Sequence, residues 1–320
     1  MTAVMRALGF DRAVAIAFAC IILLLLAGSF YSREFLSADY LLQQLQTGAF
    51  LGIIASGAMM VILLGHIDLS IPWVVTLGAM MATALAGWYG NTGEFFAIPF
   101  GIVCGAIIGV VNGLGVAYLR LPSMIFTLGV NAVVQGLMVL HTGGFAPQDH
   151  ATAAMHFLAV NRTFFGIPNA LWVWVAVGVV ATLILRRTSF GRAVYAIGNR
   201  ESVAYLSGIN TNRVLVGCFA FCGACSAFAG VLLAGYSNKA YQAMGDAYLL
   251  PAIAAVVLGG TNILGGRGNY LGTIAGVILI TLLQSILSVM QMPEAGRQVI
   301  YGAVIVLMLL LYGRSAKTRS

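Results

Sequence analysis

Residues 63–73 read LLGHIDLSIPW. They set a histidine, an aspartate and a proline into sequence that is otherwise small or aliphatic on both sides. Gly65 suits a helix end, Ser70 a helix N-cap, and Pro72 the first turn of a following helix, where its missing N–H costs little. The stretch therefore separates two apolar helices. Composition then decides whether those helices lie in water or in lipid. Of 320 residues, 61% are hydrophobic and 8% charged, against roughly 25% charged in a soluble domain. Such a chain has too little polar surface to cover a globule in water. Several of its apolar runs are long enough to cross a bilayer core of about 30 Å as helix, so an all-α polytopic membrane protein is expected.

Hydropathy and breakers place ten spans near residues 13–31, 48–65, 70–89, 95–118, 122–141, 169–186, 213–236, 247–263, 270–290 and 298–313, in one domain covering 1–320. The first run follows Arg6 and Arg12 and lacks a small-x-small cleavage pattern, so it reads as a retained span. With both termini cytoplasmic, only Arg33, Arg162, Lys239 and Arg297 of the 16 cations fall outside, a positive-inside pattern. The net charge of +7 is thus a topology signal. No basic stripe interleaved with aromatics points to nucleic acid.

The motifs that would carry covalent chemistry are missing. There is no G-x-x-x-x-G-K-[ST], and the two lysines, Lys239 and Lys317, follow no such glycine pattern. H-E-x-x-H and G-x-S-x-G are absent too. Cys218, Cys222 and Cys225 have C-x3-C-x2-C spacing but share one face of an apolar span, which suits packing rather than a cluster. His150 and His156, in the long outer loop 142–168, lack a third ligand, so no metal site is expected. The run LGGTNILGGRGNYLG at 258–272 fits no phosphate loop and reads as a tight connection between spans.

Three patterns remain. Gly101, Gly105, Gly109 and Gly113 recur every fourth residue, a smooth ridge for close helix packing against this chain or a second copy. Thr127, Asn131 and Gln135 form a polar line on the fifth span, and Thr281, Gln284, Ser285 and Ser288 one on the ninth. Interhelical hydrogen bonding or a path for a polar solute fits either line. Asp68, just before a helix N-terminus, is stabilised by exposed N–H groups there, and a structural role is favoured for it over substrate contact. Finally, the inner segment 187–212 should hold a short helix over Arg200–Ser207, capped by Asn199 and ended by Gly208, with Val203, Ala204 and Leu206 on its apolar side. Two turns are marginal alone, so this helix either lies on its own protein or docks a cytoplasmic partner.

GHIDLS at 65–70, VNGLGVAYLRLPSMIFTLG at 111–129, FGRAVYAIGNRESVAYLSGI at 190–209 and AVVLGGTNILGGRGNYLGTIAGV at 255–277 together resemble the permease subunit of ribose-type ATP-binding-cassette sugar importers. The resemblance covers essentially the whole chain. It implies the importer permease fold in a bacterial inner membrane, a second copy or sister permease, and a periplasmic sugar-binding protein. It also implies cytoplasmic ATPase subunits that bind ATP and Mg, while this chain binds no cofactor of its own. The family's ATPase-docking helix carries over to Gly198, Asn199, Arg200, Glu201, Ser202, Val203, Ala204, Leu206 and Gly208. The translocation path is expected to include Asp68, Thr127, Asn131, Gln135, Gln284 and Ser288. The chain departs from the family at His66, usually glycine; at Ile71-Pro72, usually Val-Gly; at Asn199-Arg200, usually Gly-Asn; at Ser202-Val203, usually two alanines; and at Gln135, often arginine. These departures imply a differently shaped break, a dedicated ATPase and a path of altered polarity.

Overall fold

The computed structural model describes residues 12–31, 33–293, 295–303 and 306. The helices are α1 (Arg12–Tyr31), α2 (Ala38–Leu63), α3 (Ile71–Ala117), α4 (Ser123–His141), α5 (Ala153–Val160), α6 (Asn169–Arg187), α7 (Ser189–Asn199), α8 (Glu201–Leu206), α9 (Thr211–Ser237), α10 (Leu249–Leu258) and α11 (Tyr270–Val289). A two-stranded hairpin, β1 (Arg162–Phe164) and β2 (Ile167–Pro168), sits in the 142–168 loop. Residues 295–303 and 306 are helical, and the rest of the tenth predicted span lies outside the described residues. So do Arg6, Arg314, Lys317 and Arg319.

Six of these helices are long and apolar enough to cross a membrane. One of them, α3, carries two predicted spans, because Gly90 (φ 55°, ψ −134°) breaks its helical path. The arms fold back on each other. A Cβ on Gly101 would lie 2.8 Å from the Gly78 carbonyl oxygen and 3.2 Å from Ala82 Cβ, a proximity that requires an antiparallel hairpin.

The glycine ridge finds its partner inside the chain. A Cβ on Gly113 would meet Val216 Cα at 2.5 Å, and one on Gly109 would meet Ala220 Cα at 2.8 Å, so the ridge packs directly on the backbone of α9. On its other sides α9 contacts the first arm of α3, where Ala227 faces Gly78, and α2, where Cys222 faces Gly57. Lipid chains are as apolar as leucine, so close backbone approach replaces the hydrophobic effect as the cohesive force. Cys218, Cys222 and Cys225 are buried, free thiols within this packing, as their spacing suggested. From Gly48 onward α2 is buried on every side, between α9, α6, α10 and α11. α4 rests only on α3 among its major contacts, and α1 lies along α11.

The span ends collect on two opposite faces. One face joins α7 and α8 to the 118–122 corner and the 259–269 loop: Arg120 pairs with Glu201 at 2.7 Å, and Arg186 Nη2 donates to Asn269 Oδ1 at 2.9 Å. The other joins the 142–168 loop to residues 238–242 through the His150–Lys239 backbone bridge and the Gln242 bond to Thr142. No group of three or more His, Cys, Asp or Glu side chains able to hold a metal occurs among the described residues.

Candidate functional site

The break between α2 and α3 is built by two devices already visible in LLGHIDLSIPW. Gly65 (φ 81°) ends α2 in a Schellman cap, with Gly65 N–H on the Ile62 carbonyl at 2.9 Å and His66 N–H on Val61 at 3.2 Å. Asp68 then folds back on the chain: its Oδ1 accepts from Ser70 N–H at 2.9 Å and Ser70 Oγ–H at 2.6 Å, a local turn that a carboxylate two residues upstream makes easily. Ser70 stands at the expected N-cap position but its side chain caps nothing, since its hydroxyl is committed to Asp68.

Asp68 is 4% exposed and shares its pocket with Asn112 and Cys222. The Asn112 amide donates to Ser70 Oγ at 2.7 Å, while its own Oδ1 has no partner among the described residues. His66 is half-buried beside Phe219, and no hydrogen bond ties it to Asp68. An acid–base pair is therefore not assembled here.

The polar line of α4 runs along this break. Ser123 Oγ accepts from Ile67 N–H at 3.4 Å, Thr127 Oγ1 from Leu69 N–H at 2.9 Å, and Asn131 Oδ1 from Trp73 N–H at 3.3 Å. These are donors that a broken helix leaves without intrahelical partners, so α4 serves as their substitute backbone. Gln135, the next residue on the line, is exposed. Gln284 is half-buried and Ser288 exposed on α11, which packs on α1, α2 and α10 rather than on α4. The two polar lines are thus brought to different places. Thr127→Val is expected to leave the Leu69 N–H unmet and to cost about 1–3 kcal/mol, whereas Thr127→Ser keeps the oxygen. Thermal unfolding in detergent should separate the two variants by several degrees.

Next to the break lies the segment of α7 and α8. α7 starts at a Thr188 cap, whose Oγ1 accepts from Gly191 N–H at 3.1 Å, and ends with Gly198 against the end of α2. A Cβ on Gly198 would meet Gly266 N at 2.5 Å and also the Leu63 carbonyl, so nothing larger fits. The 259–269 loop beneath is as tightly joined as its glycines suggested: Gly266 N–H donates to Leu63 O at 2.9 Å, and Gly265 and Gly266 take φ of 90° and 75°. Tyr195 donates its hydroxyl to Gly268 O at 3.0 Å, and burial raises its phenol above the ordinary range despite the opposing field of Arg186.

α8 differs from expectation at its start. Asn199 does not cap it; Asn199 closes α7, donating to Tyr195 O at 3.0 Å, and Arg200 occupies the N-cap position without a side-chain bond. Gly208 (φ 83°) ends α8 as expected, in a second Schellman cap with Ile209 N–H on Ala204 O at 3.1 Å. The apolar side is also divided. Ala204 alone is buried, while Ser202, Val203 (51% exposed), Tyr205 and Leu206 (84% exposed) point away from the protein. Glu201 is tied to Arg120, which sits at φ 53° in the corner between α3 and α4.

The pattern of the family described as "Branched-chain amino acid transport system / permease component" matches residues 40–309, which include the break, the ridge and the α7–α8 segment. The chain belongs to this permease family. The permease is 32% identical to the ribose import permease protein of Haemophilus influenzae, over 92% of this chain and 91% of that one. It is 34% identical to the ribose import permease protein of Bacillus subtilis, over 90% and 89%. It is 33% identical to the autoinducer 2 import system permease protein of Yersinia pseudotuberculosis, over 83% and 80%. No solved structure matches the permease.

Sequence reasoning named Asp68, Thr127 and Asn131 but missed three side chains that complete the site. Asn112 was hidden in the glycine ridge, where an amide inside GVVNG was the available signal. Ser123 lies one turn before Thr127 on the same face and could have been added to the line. Arg120 was counted only as a topology charge, and nothing in its spacing marks Glu201 as its partner, 81 residues away.

Proposed function

We propose that this chain is the membrane-spanning subunit of an ATP-binding-cassette importer that carries a ribose-like monosaccharide or polyol into a bacterial cell. The α7–α8 face lies in the cytoplasm, where Arg120, Arg186, Arg187, Arg192, Arg200, Arg213 and Arg267 obey the positive-inside rule. The chain performs no covalent chemistry. ATP and Mg bind to separate ATPase subunits, a periplasmic binding protein delivers the sugar, and a second permease copy or a sister chain completes the channel. The sugar reading rests on the ribose import relatives.

The observation that carries the proposal is α8 itself. A six-residue helix that turns Val203, Tyr205 and Leu206 outward, anchored at its N-terminal end by the Gly198 junction and by the Glu201–Arg120 pair, is unfavourable in water alone. A groove on a partner protein would satisfy it. The same two anchors explain how a push on α8 reaches the membrane: Gly198 bears on the end of α2 and Glu201 on the α3–α4 corner, the two elements that flank Asp68. Movement of one against the other would open or close the break. The unpartnered Asn112 Oδ1 beside Asp68 supports passage of a polar solute there, and the exposed Gln135 supports a polar path along α4.

Gentle extraction from native membranes followed by mass spectrometry tests the proposal. A stoichiometric P-loop ATPase is expected, and its absence even after crosslinking through residues 198–208 would leave a stand-alone facilitator. The accompanying binding protein can be titrated with pentoses, hexoses and polyols. The ion pair offers a finer test. With both partners exposed, it contributes at most about 1 kcal/mol, so it sets position more than stability. Glu201→Lys or Arg120→Glu alone should slow uptake about fivefold, and the double exchange should restore it.

A further inference from the structure

On the flank away from α4, the helices α6 and α11 stand apart over α2 and leave an open cleft of about 460 Å³. Leu45, Trp174, Val179, Leu183, Tyr270 and Ile274 line it, and its walls are almost wholly apolar. A second cleft of about 170 Å³ shares Leu45, Trp174 and Ile278 with the first and continues to Ile21 and Leu25 of α1. The two form one forked trough.

Its length and its charge select an occupant. The lining on α6 runs from Leu171 to Leu183, a rise of about 18 Å at 1.5 Å per residue. That is close to one leaflet of a bilayer core about 30 Å thick. Val175, Val179, Leu183 and Arg186 follow one another at helical spacing, so the apolar stripe of α6 ends in a cation. Arg186 bonds Asn269, the residue before Tyr270 of the cleft wall, which holds its guanidinium at the mouth, and Arg187 lies exposed beside it. A guanidinium has five N–H donors, so one bond to an amide leaves capacity for a phosphate. We infer that this trough is a site for one anionic phospholipid of the leaflet on the α8 face, with its acyl chains in the two limbs and its phosphate on Arg186 and Arg187.

The inference requires only that the chain be embedded in a membrane, so it stands apart from the transport reading. The permease, with whatever subunits accompany it, would be stripped with detergent and reconstituted in nanodiscs containing phosphatidylglycerol and phosphatidylethanolamine. Retained lipid would then be counted by native mass spectrometry. The wild type should keep one phosphatidylglycerol in preference to phosphatidylethanolamine. Arg186→Gln with Arg187→Gln should weaken that retention about thirtyfold. Val179→Trp fills the cleft and should abolish retention, whereas Val103→Trp, at an equally exposed valine on α3, should leave it intact and so controls for folding. Equal retention by wild type and both cleft variants would overturn the inference. So would a disulfide between two copies through Val175→Cys or Val179→Cys, since a second chain would then fill the trough.

Discussion

A permease carrying Val203→Asp and Leu206→Asp should accumulate in the membrane at the wild-type level and import nothing. Both side chains point away from the protein, and only Ala204 of this helix is packed beneath it, so the change removes no internal contact. The Schellman cap at Gly208 is made by backbone groups and survives. What is lost is the apolar surface that the proposed ATPase subunit would cover. Burying two aspartates in an apolar groove without partners costs several kcal/mol, enough to reduce association by at least about a thousandfold. Uptake by membrane vesicles loaded with ATP, with permease quantified on the same blots, measures the effect. A variant that still imports at the wild-type rate would show that α8 lies idle and that the chain moves its solute without an ATPase. Loss of the protein itself from the membrane would mean that α8 stabilises the fold, contrary to the exposure described above.

Gly109→Leu should have the opposite signature, with the protein failing to assemble at all. A Cβ at this position meets the Ala220 Cα at 2.8 Å and the Phe219 carbonyl carbon at the same distance, both of them α9 backbone that cannot rotate away. Ordinary overpacking of a core costs about 1–3 kcal/mol, and a four-carbon side chain driven between two helix backbones exceeds that range. The displacement would also pull Asn112 away from Ser70, since both lie on the same turn of contact. Gly129→Leu is the matched comparison: nothing lies within 4 Å of its Cβ, so it should fold normally. Fluorescence-detected size exclusion of the two variants in mild detergent gives the answer. A monodisperse Gly109→Leu protein would mean that α3 and α9 are not in backbone contact.

Much of this was legible in the sequence because it depends on local rules. The helix stops at Gly65 and Gly208 follow from positive φ, the close packing of Gly101 to Gly113 from the absence of Cβ atoms, and the tightness of the 258–272 loop from its glycines. What stayed hidden depends on which distant segment arrives. The ridge did not say that its partner is α9 of the same chain. The α4 line did not say that it would meet the N–H groups of residues 67, 69 and 73, because hydrogen-bond capacity carries no address. Two readings failed at the docking segment for the same reason. Asn199 was assigned to the wrong helix end because α7 and α8 are separated by a single residue. Val203, Ala204 and Leu206 were grouped as one face, although three residues within one turn of a helix cannot all point the same way.

The packing of α9 across both arms of α3 also sets a timetable for synthesis. The second arm of α3 is complete at Ala117, and α9 is complete only at Ser237, about 120 residues later. At 5–20 residues per second the ribosome needs roughly 6–24 s to cover that distance. Throughout this interval the hairpin presents a seat for a helix that does not yet exist, with the four glycines of its ridge uncovered. A newborn chain in this condition offers a small-residue ridge to any helix with a matching face until its own α9 is made.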